Sequence, residues 1–336
     1  MPEPETTPAI SMVRTKVAGM MASGSIADFI RQAMPLVTLA ALIMFVGLVT
    51  PEFLTAQTLL VLASDTATLF VMAVGVTFVI MLGGIDLSIQ SLASLASVVV
   101  ALSLPHFGYA GFGLAVACGA MAGLLSGVAH VKLKIPSFIA TLAIGGIAAG
   151  TALIISDAQA ITMGEAERAY LGWITGVTAR LPHEVIIGAI VLAVGVAVQR
   201  YTAFGRYSQA IGAGEPAAYA SGVKVDRHKI IACTLSGFFS GLAGVILAGR
   251  LASGSPTLAN ELLLPAIAAV IVGGTAITGG VGSVWRTLIG ALIISVVRIG
   301  MTFVGVDIFA QQIVFGAVLI LAVAVTIDRS KIPIVK

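Results

Sequence analysis

Long apolar runs, each nearly free of charge, recur from residue 34 to residue 327, and they fix the solvent in which this chain folds. Each approaches the length at which a helix crosses a hydrocarbon layer, roughly 20 residues. Soluble domains carry charge on about a quarter of their residues. Here 10% are charged and 58% are hydrophobic, too much apolar surface for 336 residues to hide from water. A β-barrel would need short alternating segments, whereas these runs are continuous. The expected fold is all-α and polytopic, with about ten transmembrane helices interrupted at two glycine-rich breaks. The spans are read at 34–50, 58–82, 87–104, 111–130, 137–155, 183–199, 229–249, 264–282, 286–303 and 311–327.

Charge placement gives the expected orientation. With residues 1–33 as a cytoplasmic tail, Lys132, Lys134, Arg200, Arg206, Lys224, Arg227, Lys229 and Arg286 all fall inside, together with the basic 328–336 tail. Arg168, Arg180 and Arg250 fall outside, and Arg298 stays within a span. Glu184, Glu261 and Asp307 belong to the outer rim on this reading, and both termini are cytoplasmic. Two connections have size: an external one, 156–182, and a cytoplasmic one, 200–228. The domains are therefore the two tails and one membrane-embedded body, 34–327.

Glycines spaced by four, at Gly119, Gly123 and Gly127, at Gly146 and Gly150, and at Gly237 and Gly241, make flat helix faces. Such faces serve packing within the subunit or a seam with a second copy. Cys118 and Cys233 lie in apolar runs and read as buried small hydrophobes, with no disulfide or metal implied.

The polar features at membrane depth are few. Gly83-Gly-Ile-Asp-Leu-Ser88 sets a carboxylate behind a glycine pair. Asp86 can cap the following helix, or exchange hydrogen bonds with a passing solute; the two readings are compatible. Gly273-Gly-Thr275 and the glycines up to Gly282 form a second break, which span parity places on the same side. The two are expected to face each other around the exit of a pathway. Asp65 and Arg298 could pair within the membrane. Gln311 and Gln312 are expected to be solvated at an outer helix end. In the cytoplasmic loop, Glu215-Pro-Ala-Ala-Tyr-Ala-Ser-Gly222 reads as a two-turn helix with proline in its first turn and a glycine stop. Spacing alone allows it to be a topological pin or a lever between two spans.

These segments, with Pro136-Ser-Phe-Ile-Ala-Thr-Leu142, resemble in order the motifs of the membrane permeases of ribose-type sugar ABC importers. The resemblance implies that Glu215, Ala217, Ala218, Ser221 and Gly222 belong to a coupling helix that docks on a cytoplasmic ABC ATPase. It implies a translocation pathway near Gly83, Gly84, Asp86, Ser88, Gly273, Gly274 and Thr275. It further implies a bacterial inner-membrane protein working with a periplasmic sugar-binding protein and a second permease copy. An importer of branched-chain amino acids or nucleosides and an ion-coupled secondary transporter are the alternatives.

No Gly-x-x-x-x-Gly-Lys-[Ser/Thr] loop occurs, so ATP is expected to be used by the partner subunit, with no cofactor in this chain. His106, His130, His183 and His228 have no metal-ligand spacing. No catalytic residue and no metal site are expected, and the basic excess is topological, not a nucleic-acid surface.

Overall fold

The computed structural model describes residues 34–326; the two expected tails, 1–33 and 328–336, lie outside them. The chain runs through α1 (Met34–Val49), a 3-10 turn (Pro51–Leu54), α2 (Ala56–Met81), α3 (Ile89–Phe107), α4 (Ala110–Lys132) and α5 (Ser137–Ile155). A small cap follows, made of β1 (Ile161–Thr162), α6 (Glu165–Arg168), α7 (Gly172–Thr175), β2 (Val177–Thr178) and β3 (Leu181–Pro182). Then come α8 (His183–Tyr201), α9 (Ala203–Ala213), α10 (Glu215–Ala220), α11 (Val225–Leu251), β4 (Ser253–Gly254), α12 (Leu263–Val272), α13 (Val284–Phe303) and α14 (Ile308–Thr326).

Among the described residues, seven helices are long and apolar enough to cross a membrane, namely α2, α3, α4, α5, α8, α11 and α13. The apolar stretches Met34–Val49, Asn260–Val272 and Ala310–Leu321 are shorter. The chain is a multi-pass, all-α membrane protein.

α2 is the axis of the bundle. Apolar residues on every side suit a helix enclosed by other helices, and α2 is buried almost continuously from Thr66 to Leu82 between α8, α11, α12 and α13. α5 and α8 keep more of their apolar surface outward, as helices facing lipid do. α4 and α11 meet through glycine. A methyl added at Gly123 would strike the Cys233 carbonyl oxygen, and one at Gly119 the Gly237 carbonyl oxygen. The Gly119/Gly123/Gly127 and Gly237/Gly241 faces therefore close a seam inside one chain. Gly146 and Gly150 on α5 meet nothing within 4 Å.

Two ends of the bundle are chemically distinct. At the end holding the cap, β1 pairs with β4 (Ile161 opposite Gly254) and β2 with β3. Four charges link four helices nearby. Arg298 of α13 pairs with Asp65 of α2, Arg250 of α11 reaches Asp65 at 3.5 Å, and its Nε lies 3.4 Å from Glu184 of α8. Asp65 and Arg298 thus meet, as their depth suggested. Arg250 and Glu184, assigned to the outer rim, join them because a lone guanidinium or carboxylate beside lipid is costly and a compensated set is less so. Gln311 is buried, not solvated, and donates to Thr302 Oγ1 at 3.1 Å. Half-exposed Trp173 and exposed Trp285 mark the cap end and the opposite end, as interfacial indoles do.

The span expected at 264–282 is corrected. Its helix, α12, ends at Val272, because Gly274 turns at φ +89° and Thr275 N–H donates back to the Val270 carbonyl at 3.1 Å. Residues 273–283 fold into a loop instead. The end of the bundle holding this loop, the Gly83 break and α9–α10 is called the break end below.

Candidate functional site at the junction of the helix breaks

The first break leaves α2 at Met81 and starts α3 at Ile89. Gly83 takes φ +78°, a conformation that suits glycine. The extended stretch that follows lies along the first turns of α5. There Ser137 Oγ accepts from Ile85 N–H and Thr141 Oγ1 accepts from Leu87 N–H, both at 3.0 Å. Residues four apart lie on one helix face, so the Ser137/Thr141 pair forms a rail for broken backbone.

Asp86 is fully buried on this rail. Its Oδ1 accepts from Ser88 N–H at 2.9 Å and from Ser88 Oγ at 2.6 Å. The N-cap position of α3 is Ser88, not Asp86, so the carboxylate holds the cap residue from two positions earlier. Asp86 Oδ2 is buried without a hydrogen-bond partner among the described residues, as is Thr275 Oγ1 in the second break. Ser88 is buried against Gly145 of α5.

The second break is tied down from three directions. Gly280 N–H donates to the Met81 carbonyl at 2.9 Å. Gln199, at the end of α8, donates to the Gly282 carbonyl at 2.7 Å and accepts from Val284 N–H at 2.9 Å. Gly212 of α9 is pressed into the gap, and a methyl there would collide with the Met81 oxygen and the Gly280 nitrogen. Gly83 itself lies beside Thr278 and Gly279.

The two breaks do face each other, main chain against main chain, with Gly83 beside Thr278 and Gly279 and Met81 beside Gly280. Gly84 sits beside Val79 and Ser137, while Gly273 and Gly274 lie against Arg286.

α9 and α10 extend this junction outward. Thr202 caps α9 by accepting from Gly205 N–H at 3.3 Å, and Pro216 enters α10 in its first turn, where a missing N–H is harmless. Within α10 only Ala218 is buried; Glu215, Ala217, Ser221 and Gly222 are exposed. Glu215 binds Lys229 of α11 at 2.7 Å, and Gly222 turns the chain at φ +82° with open space around it. A cleft of about 300 Å³ opens between α10 and the start of α5, lined by Gly84, His130, Ser137, Phe138, Glu215 and Lys229 among others.

Sequence reasoning gave no role to four residues of this junction: Ser137 and Thr141, quoted only within the Pro136–Leu142 motif, and Gln199 and Gly212. Gln199 had a signal, as an amide in an otherwise apolar run. Gly212 had a fainter one, since glycine inside a helix costs about 1 kcal/mol against alanine and has to be repaid by close approach.

The model of the family described as the permease component of branched-chain amino acid transport systems matches residues 58–323. The ribose import permease RbsC of Haemophilus influenzae is 36% identical over 304 residues, covering 89% of this chain and 94% of that one. RbsC of Escherichia coli K12 is 37% identical, covering 86% and 92%. The L-arabinose permease AraH of Azospirillum brasilense is 31% identical, covering 91% of each. No solved structure gives a significant match.

Proposed function

Because the chain belongs to the family of permease components of branched-chain amino acid transport systems, we propose that it is the transmembrane subunit of an ATP-driven importer carrying a monosaccharide or related neutral polyol into the cytoplasm. The relatives named for ribose and L-arabinose support the sugar class. The break end is then cytoplasmic, in keeping with its basic residues. α1, α12 and α14 complete ten crossings, with both termini inside a bacterial inner membrane. Two copies, or one copy and a similar permease, enclose the pathway; a periplasmic binding protein delivers the solute, and ABC ATPase subunits bind ATP, which this chain does not.

One observation carries the reading: an exposed short helix, α10, stands at the break end, joined through α9 to the place where both broken spans meet. A docked ATPase that moves α10 therefore acts close to the breaks at Gly83–Ser88 and Gly273–Thr275. On this reading Glu215, Ala217, Ala218, Ser221 and Gly222 form the docking element. Asp86 and the glycines around it belong to the pathway. Alternating access follows from the breaks separating and rejoining as the ATPases close and open.

The test is uptake into proteoliposomes. The permease with its ATPase and binding protein should accumulate labelled ribose or another monosaccharide only when ATP is present on the ATPase side. The permease alone should accumulate none, and uptake by the isolated chain down an ion gradient would overturn the reading. The family description supports branched-chain amino acids as the second reading; leucine uptake in the same vesicles, without sugar uptake, would establish it.

A further inference from the structure

α10 is held to the bundle by Glu215 and Lys229, an ion pair whose carboxylate side is half-exposed, and such pairs hold little where water reaches them. A displacement needs a stiffer route to the breaks. Side chains yield by changing rotamer, whereas main-chain groups packed against each other have no such slack. Two and three residues before α10, at Ala213 and Gly212, main chain meets main chain: Gly212 lies on Met81 and Gly280, and the first atoms that a side chain on Gly280 would meet are Ala213 N and Cα at 2.8 and 2.9 Å.

The geometry points to Gly212 as the positioning residue through which motion of the docking helix reaches both breaks, with α9, the last turn of α2 and the 273–283 loop moving as one unit. Three contacts define that unit: Gly212 wedged between Met81 and Gly280, the Gly280–Met81 hydrogen bond, and Gln199 holding Gly282 and Val284. The cleft between α10 and the start of α5 is the space into which the unit shifts. Gly83 and Gly84 form the link between the unit and the α5 rail.

The inference rests on α10 being the ATPase-docking helix, and two variants separate failure of one from failure of the other. In Gly212→Ala the added methyl forces α9 away from the breaks. The assembled complex should still hydrolyse ATP, while uptake falls on the order of tenfold, as expected from the strain of an extra buried methyl. ATP consumed per solute moved then rises, which a merely structural loss would not produce, because it would lower both activities together. Glu215→Lys reports on α10 itself. Normal coupling in Gly212→Ala with uncoupling in Glu215→Lys overturns the role of Gly212 alone. Normal coupling in both overturns the docking reading as well.

Should Gly212→Ala fail to assemble, distance measurements decide. Spin labels at exposed Ala213 and Thr278, in a chain with Cys118→Ala and Cys233→Ala, should keep their separation between nucleotide-free and ATP-bound states. Labels at Ala213 and Phe138, across the cleft, should change theirs. A larger change in the 213–278 distance than in the 213–138 distance would overturn the single moving unit.

Discussion

Replacing Asp65 by Asn keeps the side chain's size and removes the charge that two guanidinium groups share. Arg298 loses this carboxylate, and Arg250 is left with Glu184 at 3.4 Å. Asp65 is 14% exposed and each arginine 26%, so neither the fully buried nor the fully solvated limit applies. Stranding one partner of a buried pair costs about 3–5 kcal/mol; partial access to water lowers this to roughly 2–4 kcal/mol. That is about a thirty- to thousandfold shift in the folding equilibrium. Equilibrium unfolding in mixed detergent micelles, followed by the fluorescence of Trp173 and Trp285, reads this directly. Arg298→Met alone should cost a similar amount. The double variant should cost less than the sum of the two by roughly 2 kcal/mol, since a neutral pair in place of an ion pair is often tolerated. A charge swap would be a poorer test, because an arginine at 65 would meet Arg250. Additivity of the single variants within about 0.5 kcal/mol would refute the coupled network.

Gly123→Leu should cost on the order of 3 kcal/mol or more, because no rotamer avoids the Cys233 carbonyl. Gly146→Leu, which meets open space, should leave the subunit's thermal unfolding unchanged in the same detergent assay. Asp86→Ala strands the buried Ser88 N–H and hydroxyl at about 1–3 kcal/mol and should abolish uptake by protein that still inserts. Wild-type uptake would remove the carboxylate from the pathway. Gly222→Pro cannot hold φ +82°, and it should leave ATP hydrolysis running without uptake in proteoliposomes.

Apolar content and run length carried the fold class, since lipid selects for them directly. Charge placement gave the expected orientation of the loops, which is part of the proposed function. The Asp65–Arg298 contact was open to the sequence only as a pairing that would relieve two buried charges; that the two spans meet is seen in the structure alone. Other features depend on approach between distant segments, which periodicity does not encode. The stop at Val272 is one, where a ten-residue helix gives way to a loop that needs α2, α8 and α9 to satisfy it. The cap is another. Its two-residue strands pair β1 with β4 and β2 with β3, too short to show alternation. The glycine pairs were read correctly as breaks, yet nothing in the sequence shows that Gly83 packs on Thr278 and Gly279, a contact between distant segments.

Broken backbone in a membrane demands that every polar group find a partner, since lipid supplies none. In the first break the N–H groups of Leu82, Gly83 and Gly84 turn back onto α2, those of Ile85 and Leu87 go to Ser137 and Thr141, and that of Ser88 goes to Asp86. In the second, Gly274, Thr275, Ala276 and Gly279 use carbonyls of their own segment, Gly280 uses Met81, and Val284 uses Gln199. The two breaks therefore differ in kind. The first is held by hydroxyl and carboxylate side chains, each able to rotate and exchange its partner for a water or a solute hydroxyl. The second is held mainly by main-chain groups that cannot exchange without moving the chain. On the proposed function, a solute crossing between them would meet an adaptable polar wall on one side and a rigid one on the other. Asp86 Oδ2, buried and without a partner among the described residues, lies on the adaptable side.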